Sequence, residues 1–181
     1  MKYSLLVENG NKKDWDIYRK SLTGGAAIAV AASNSVEYGP ALSPNDNEVA
    51  YIRLKGQQCK VLVQTLHQGQ PTELADCTTK FPTLVDWSPN SPLIAFTAKV
   101  DNNTQRRSIK LVDRDTGLIT PLTNNVAKDS TDYYPRFSPN GSKVAFLRGV
   151  PKPEHLSNIF ITDIKSSQQR LLCLQTIYIL I

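Results

Sequence analysis

Short apolar runs and polar turns alternate along this chain. Val49-Ala50-Tyr51-Ile52, Leu93-Ile94-Ala95-Phe96 and Val144-Ala145-Phe146-Leu147 are each four residues long and each follow a turn. Runs of that length fit strands buried on both faces better than helices. Each is preceded by Ser-Pro-Asn, and that turn by a short strand opening on an aromatic and a proline. The result is one phrase in three copies, Tyr38 to Tyr51 (YGPALSPNDNEVAY), Phe81 to Phe96 (FPTLVDWSPNSPLIAF) and Tyr134 to Phe146 (YPRFSPNGSKVAF). Alanine recurs inside every apolar run, which predicts sheets that approach closely at that point.

Two further strands follow each copy. Lys60 to Leu66, Ser108 to Asp113 and Asn158 to Ile164 are rich in Val, Ile and Leu with partial alternation. A more polar fourth strand closes each unit near Thr72 to Leu74, Leu118 to Leu122 and Gln169 to Leu172. Ser43, Ser88 and Ser138 lie 45 and 50 residues apart. Four strands in a repeat of about 45 residues is the pattern of a propeller blade. The first 36 residues fit the same template without its opening strand, with Tyr3 to Val7, Trp15 to Leu22 and Ala26 to Ala31 as strands two to four. The expected fold is therefore all-β, a β-propeller of four-stranded antiparallel blades with about three and a half blades present. The units are 3–36, 37–80, 81–125 and 133–174, followed by an apolar tail, 175–181. Rings of three and a half blades do not close. We therefore expect a piece of a larger propeller; the alternative is that the tail supplies the missing inner strand of the first unit and closes a four-bladed ring.

Ser-Pro-Asn is a turn before it is anything else. Pro44, Pro89 and Pro139 preset φ for the second position of a type I turn, the Asn tolerates the bridge or left-handed region, and the serine hydroxyl can accept a backbone N–H. A serine nucleophile would need a base beside it, and no histidine accompanies any copy. His67 and His155 have no metal-ligand neighbour at a useful spacing, and no nucleophile elbow, phosphate loop or dinucleotide fingerprint occurs. Asp113-Arg114-Asp115-Thr116-Gly117 resembles the start of a calcium loop but lacks the later carboxylate and falls where a hairpin turn is required. Asn102-Asn103-Thr104 and Asn140-Gly141-Ser142 match the glycosylation pattern, the second also spelling a tight turn. We expect no catalytic residue, no bound cofactor and no metal.

The net charge is +5, densest at Lys12-Lys13 and Arg106-Arg107. Those pairs sit in loops without interleaved aromatics, so solvated loop charge explains them and no direct nucleic-acid binding is expected. No run of 18 apolar residues could span a membrane, and Glu8-Asn9-Gly10 interrupts the apolar start too early for a signal peptide. Any export signal or anchor is expected outside this chain. Cys59 and Cys77 are placed symmetrically about Gln68, in the turn His67-Gln68-Gly69. A three-residue hairpin loop pairing Leu66 with Gln70 carries Cys59 opposite Cys77, at Cβ separations close to those of a disulfide. Two unrelated buried thiols are the other reading. A bridge implies an oxidising compartment. Cys173 is left over, as a small buried hydrophobe. Tyr38, Phe81, Trp87, Tyr133 and Tyr134 gather at the beginnings of the innermost strands, where they either border a central channel or pack between blades. The long connections Lys99 to Arg107 and Gly149 to Ser157 are further places for a partner.

The Ser-Pro-Asn phrases and the strands WDIYRKSLTGG, SIKLVDRDTG and NIFITDIKSS resemble TolB-type, WD-repeat-like propeller blades over residues 3 to 173. Where that family usually has Asp-Gly after Ser-Pro, this chain has Asn45-Asp46 and Asn90-Ser91, with glycine only at Gly141. The resemblance implies a noncatalytic, extracytoplasmic interaction module that recognises a protein or envelope component. The Cys59–Cys77 hairpin followed by LVDWSPN is similar to the extracytoplasmic part of CadC-type winged-helix regulators. A propeller lid of a prolyl-oligopeptidase-like serine peptidase is the alternative. Fold alone does not choose between them.

Overall fold

The computed structural model describes residues 3–9, 15–67, 69–78, 83–100, 106–124, 130–149 and 157–173. Among them fifteen strands form four antiparallel sheets, with no helix. The first sheet holds β1 (Tyr3–Asn9), β2 (Trp15–Ser21) and β3 (Ile28–Ala31). The second holds β4 (Val36–Leu42), β5 (Glu48–Lys55), β6 (Gln58–Thr65) and β7 (Thr72–Asp76). The third holds β8 (Val85–Trp87), β9 (Leu93–Lys99), β10 (Arg107–Asp113) and β11 (Ile119–Pro121). The fourth holds β12 (Thr131–Phe137), β13 (Lys143–Gly149), β14 (Ser157–Asp163) and β15 (Gln169–Cys173). Each is a meander in chain order, and among the described residues the first has three strands where the others have four. The tail 175–181, Phe81, Lys12-Lys13, Asn102-Asn103-Thr104, His155 and most of both long connections lie outside the described residues, as does the side chain of Cys173.

The Ser-Pro-Asn turns work through the serine. Ser43 and Ser138 Oγ accept the N–H of Glu48 at 2.9 Å and of Lys143 at 3.0 Å, and donate to Asn45 and Asn140 Oδ1 at 2.7 and 2.8 Å. Ser88 repeats the bond to Asn90 Oδ1 at 3.3 Å. The left-handed residue is the one after the asparagine and not the asparagine itself: Asp46 has φ 56° and Gly141 φ 66°. Asp113, the calcium-loop candidate, spends its carboxylate on a turn. Its Oδ1 accepts the N–H groups of Asp115 and Thr116 at 3.0 and 2.8 Å, and Asp163 does the same for Lys165 and Ser166 at 2.9 and 3.1 Å.

Register separates the observed sheets from the simplest reading. Cys77 N–H donates to Cys59 O at 3.0 Å and the two residues form a disulfide with Cα atoms 5.0 Å apart. Lys60↔Asp76 and Val61↔Ala75 continue that register inward, but it then shifts by one to Leu62↔Glu73 and Val63↔Thr72. Leu74 is the extra residue of a bulge, so the register beyond it no longer sets Leu66 opposite Gln70, the predicted pair. The same bulge occurs between β2 and β3 at Val30, and between β14 and β15 at Leu172. A second bulge opens the inner strands. Gly39-Pro40 lies opposite Tyr51, and Tyr134-Pro135 opposite Phe146. Structurally Tyr133 is therefore the partner in position of Tyr38, and Tyr134 that of Gly39, one residue away from the alignment of the sequence phrases. A bulge absorbs the residue that keeps proline off the ladder and re-aims its neighbours.

Three apolar cores join the four sheets. The face of the first sheet directed at the second contributes Ile17, Val30 and Ala31 against Val49, Tyr51 and Leu62. The second sheet offers Ala50, Ile52, Val61 and Val63 to Val85, Trp87, Ile94 and Phe96 of the third. The third offers Ala95, Ile109 and Leu111 to Val144, Phe146 and Phe160 of the fourth. Ala50 and Ala95 are fully buried at these contacts, which is where the recurrent alanine lets the sheets approach. Polar ties reinforce each joint. Gln64 Nε2 donates to Val30 O at 2.7 Å, Arg114 meets Glu48 at 2.7 Å, and Asn90 Nδ2 donates to Asn140 O at 2.8 Å.

Two expectations follow. Replacing Cys59 and Cys77 by alanine together should cost about 3 kcal/mol, the chain-entropy value for a loop of this size, read as a lower midpoint in urea denaturation. Backbone hydrogen bonds, from Thr116 foremost at Asp113 and from Ser166 foremost at Asp163, hold both carboxyls below the ordinary carboxylate range. Their contribution is present above the unfolded carboxylate pKa and lost as pH falls through the lowered folded values. Melting temperature should therefore drop in acid, and Asp113→Asn with Asp163→Asn should flatten that drop.

Candidate binding surface at the inner strands

Side chains from three sheets meet where the inner strands begin. Tyr38 comes from β4, Arg107 from β10, and Tyr133 and Tyr134 from the start of β12. The bulges fall just after Tyr38 in β4 and Tyr133 in β12, on Gly39-Pro40 and Tyr134-Pro135, so of the four it is Tyr134 that they re-aim; Arg107 opens β10, whose register with β9 is regular. Tyr38 is buried and hydrogen-bonds Thr83; burial dominates and pushes its phenol up to about 12, with Tyr134 adding to the rise and Arg107 opposing it. Arg107 is pulled down by its own burial, against the field of Tyr133 and Tyr38. The rings of Tyr133 and Tyr134 meet edge-on at 5.3 Å, and the Tyr133 hydroxyl is hydrogen-bonded to Ser157 Oγ. Trp15, 42% exposed, closes the group with its ring edge-on to Tyr38 at 6.3 Å.

Tyr134 is half-buried and holds φ 56°, a conformation costly for a residue with a Cβ and taken by Gly39 at the matching place in β4. Of the aromatics expected here, Trp87 is core: it packs between the second and third sheets with Val85 and Ile94. Tyr38 belongs to both, packed in that core yet facing the cluster. The group thus brings one arginine within the field of two tyrosines and sets an exposed indole against Tyr38.

No protein-family model and no curated protein sequence matches the chain. Solved structures do match. TolB from Acinetobacter baumannii superposes with a TM-score of 0.77 at 18% identity, over 97% of this chain and 42% of that one. A putative TolB from Agrobacterium tumefaciens gives 0.76 at 19%, over 95% and 61%. The β-propeller domain of the Trilobed protease from Pyrococcus furiosus, described as having an open velcro topology, gives 0.63 at 12%, over 93% and 52%. The fold is a TolB-like β-propeller. The chain spans less than two thirds of the length of either TolB chain.

Under the inner strands of two blades lies a device the sequence phrases did not include. Glu37 of β4 is fully buried and pairs across the ladder with Arg53 of β5, Nε to Oε1 at 2.9 Å, while Ser33 Oγ donates to the same oxygen at 2.5 Å. Asp132 of β12 is equally buried and grips Arg148 of β13 in bidentate fashion at 2.6 and 2.8 Å. Arg148 also donates to Gln169 at 2.8 Å and lies over the rings of Phe146 and Phe160 at 5.3 and 4.7 Å. Arg53 stands over Tyr51 at 5.9 Å. The signal was present: an acid immediately before the aromatic of the inner strand, and an arginine two residues after the aromatic of the next. The third blade has Ala98 in the arginine position. Between blades three and four, Asp86 Oδ2 instead accepts the Phe137 N–H at 2.6 Å, and its Oδ1 meets Arg136 at 3.1 Å. Burial outweighs both partners and raises the Asp86 carboxyl above its ordinary value.

Removing one member of a buried pair leaves the other charge without its partner. Arg148→Met should cost about 3–5 kcal/mol in chemical denaturation, and Asp132→Leu combined with Arg148→Met should recover most of that loss. A double variant as unstable as the sum of both single ones would show that the pair does not act as a unit.

Proposed function

We propose that the chain is a noncatalytic recognition module working outside the cytoplasm, part of an envelope protein or of the sensory half of a membrane-anchored transcriptional regulator. It presents the inner-strand surface around Tyr38, Arg107, Tyr133 and Tyr134 to a protein or envelope partner. The observation that carries this reading is Tyr134. A tyrosine held at positive φ in a place where the sister blade uses glycine has a conformational cost, and such cost concentrates at functional sites. The Cys59–Cys77 bridge supports the compartment. The repeated serines support the absence of catalysis, since their hydroxyls are committed to turn amides and asparagine side chains. The Trilobed protease propeller favours a second reading, a lid over a hydrolase domain carried elsewhere, in which this surface would face substrate.

Tyr134→Gly tests the first reading by separating stability from binding. It should raise stability by about 1 kcal/mol, because glycine takes positive φ freely, and should abolish cross-linking to envelope components from a photoreactive group placed at Trp15. Unchanged cross-linking would remove Tyr134 from the binding surface. Ester or peptide hydrolysis by the chain alone would overturn the noncatalytic assignment.

A further inference from the structure

Near the inner-strand surface the third blade departs from the charge pairing of its neighbours. In the second blade two cations face each other across the ladder, Arg53 and Lys60, and each has a carboxylate on its other side. Glu37 lies 2.9 Å from Arg53, and Asp76 lies 2.9 Å from Lys60. In the fourth blade Arg148 faces the uncharged Asn158 and is held by Asp132. The third blade has Ala98 at that place and carries its cations one step farther out, where Lys99 stands opposite Arg107. The same step is Leu54 opposite Cys59 in the second blade and Gly149 opposite Ser157 in the fourth, both without charge. Like charges directly opposite on a ladder destabilise it. Lys99 is exposed and makes no ion pair among the described residues, so nothing described offsets its charge.

Alternation sets Lys99 on the face of Ala95, and Arg107 on the face of Ile109 and Leu111, the side turned to the fourth blade. Arg107 is half-buried, with Tyr133 of the fourth blade and Tyr38 of the second near enough for their fields to act on it. A half-buried guanidinium attracts an anion more strongly than one in open water. Val100 is 37% exposed and its N–H donates to Arg106 O at 3.0 Å, so the two strands stay paired up to the place where Lys99 reaches solvent. We propose that the end of β9 and β10 binds a phosphate monoester, with Lys99 meeting it from the solvent side and Arg107 from the wall. Charge selects the ligand class. Residues 99–107 carry Lys99, Arg106 and Arg107 against Asp101, net +2. A phosphate monoester carries about −1.5 to −2 at neutral pH and matches that excess, whereas one carboxylate leaves a cation over. The ligand also removes the repulsion between Lys99 and Arg107, a cost that neither neighbouring blade incurs. The inference rests on the reading of this end as the recognition surface and names the chemistry recognised there.

Amide NMR titrations of the full chain test this. At constant ionic strength, inorganic phosphate should shift the Val100 and Arg107 amides along a saturable curve, with acetate about tenfold weaker or more. Lys99→Gln should weaken phosphate binding about tenfold and at the same time raise the urea midpoint, because it ends a like-charge contact. Vesicles of phosphatidylcholine with and without phosphatidic acid identify the source of the ligand. Sedimentation with the phosphatidic acid vesicles, reversed by free phosphate, assigns it to a lipid headgroup; saturable phosphate shifts without vesicle binding assign it to a soluble phosphate ester. Equal shifts with phosphate and acetate mean general screening and overturn the proposal. So do the absence of a response to both phosphate and vesicles, and a Lys99→Gln variant that binds phosphate as the unaltered chain does. Because these measurements need no partner, cross-linking from Trp15 judges the recognition reading separately: phosphate binding without cross-linking would overturn that reading and leave the anion site standing.

Discussion

Everything in this molecule follows from a sheet that is apolar on both faces. A strand such as Val49-Ala50-Tyr51-Ile52 sends Val49 and Tyr51 one way and Ala50 and Ile52 the other, and all four are fully buried. No single sheet of four short strands can bury both faces alone, and stacking is the available solution. The stack must also curve. Small residues on one side of the joint and aromatic residues on the other accomplish that, Ala50 and Ala95 meeting Phe96 and Phe146 across the two later cores. The blade is therefore a unit of repetition and not a unit of stability, and loss of any one joint exposes the faces of two blades.

Turn chemistry was legible in the sequence because it is local. Ser43, Ser138, Asp113 and Asp163 satisfy amide groups two to five residues away, so the residues that make each turn are adjacent in the text. Cys59 and Cys77 were legible for a narrower reason. The register near the bridge agrees with simple hairpin counting, and the bulge at Leu74 intervenes only farther in, so counting reaches the right pair although its register does not hold beyond Leu74. The bulges themselves were not legible. They exchange one residue between facing strands, a decision made by which side chain finds a core, and Val30, Leu74 and Leu172 look like ordinary strand residues until the neighbouring blade is known.

The inner-strand surface was only partly visible for the same reason. Its tyrosines could be picked out as repeated aromatics, but the phrase aligned Tyr134 with Tyr38, and only cross-strand pairing shows that Tyr133 is the equivalent residue and Tyr134 the strained one. Arg107 had been read as solvated loop charge together with Arg106. It stands instead at the start of β10, half-buried, with Tyr133 and Tyr38 of other blades near enough for their fields to act on it.

Buried charge in the propeller obeys a consistent logic. Glu37 and Asp132 each sit one residue before an inner-strand tyrosine, and each is neutralised by an arginine on the adjoining strand, not by a residue of another blade. Pairing within a blade matches the buried acid of the second and of the fourth blade before either stacks, so its desolvation need not wait for a neighbour to arrive. The contacts that do cross between blades, Arg114 with Glu48 and Arg136 with Asp86, lie nearer the surface, where misalignment is cheaper. Such a division lets apolar faces set the approach of two blades while the partly exposed polar contacts fix their register. Arg148 extends the principle: it is held by Asp132 and Gln169 and lies against Phe146 and Phe160, so the fourth blade carries its own internal network.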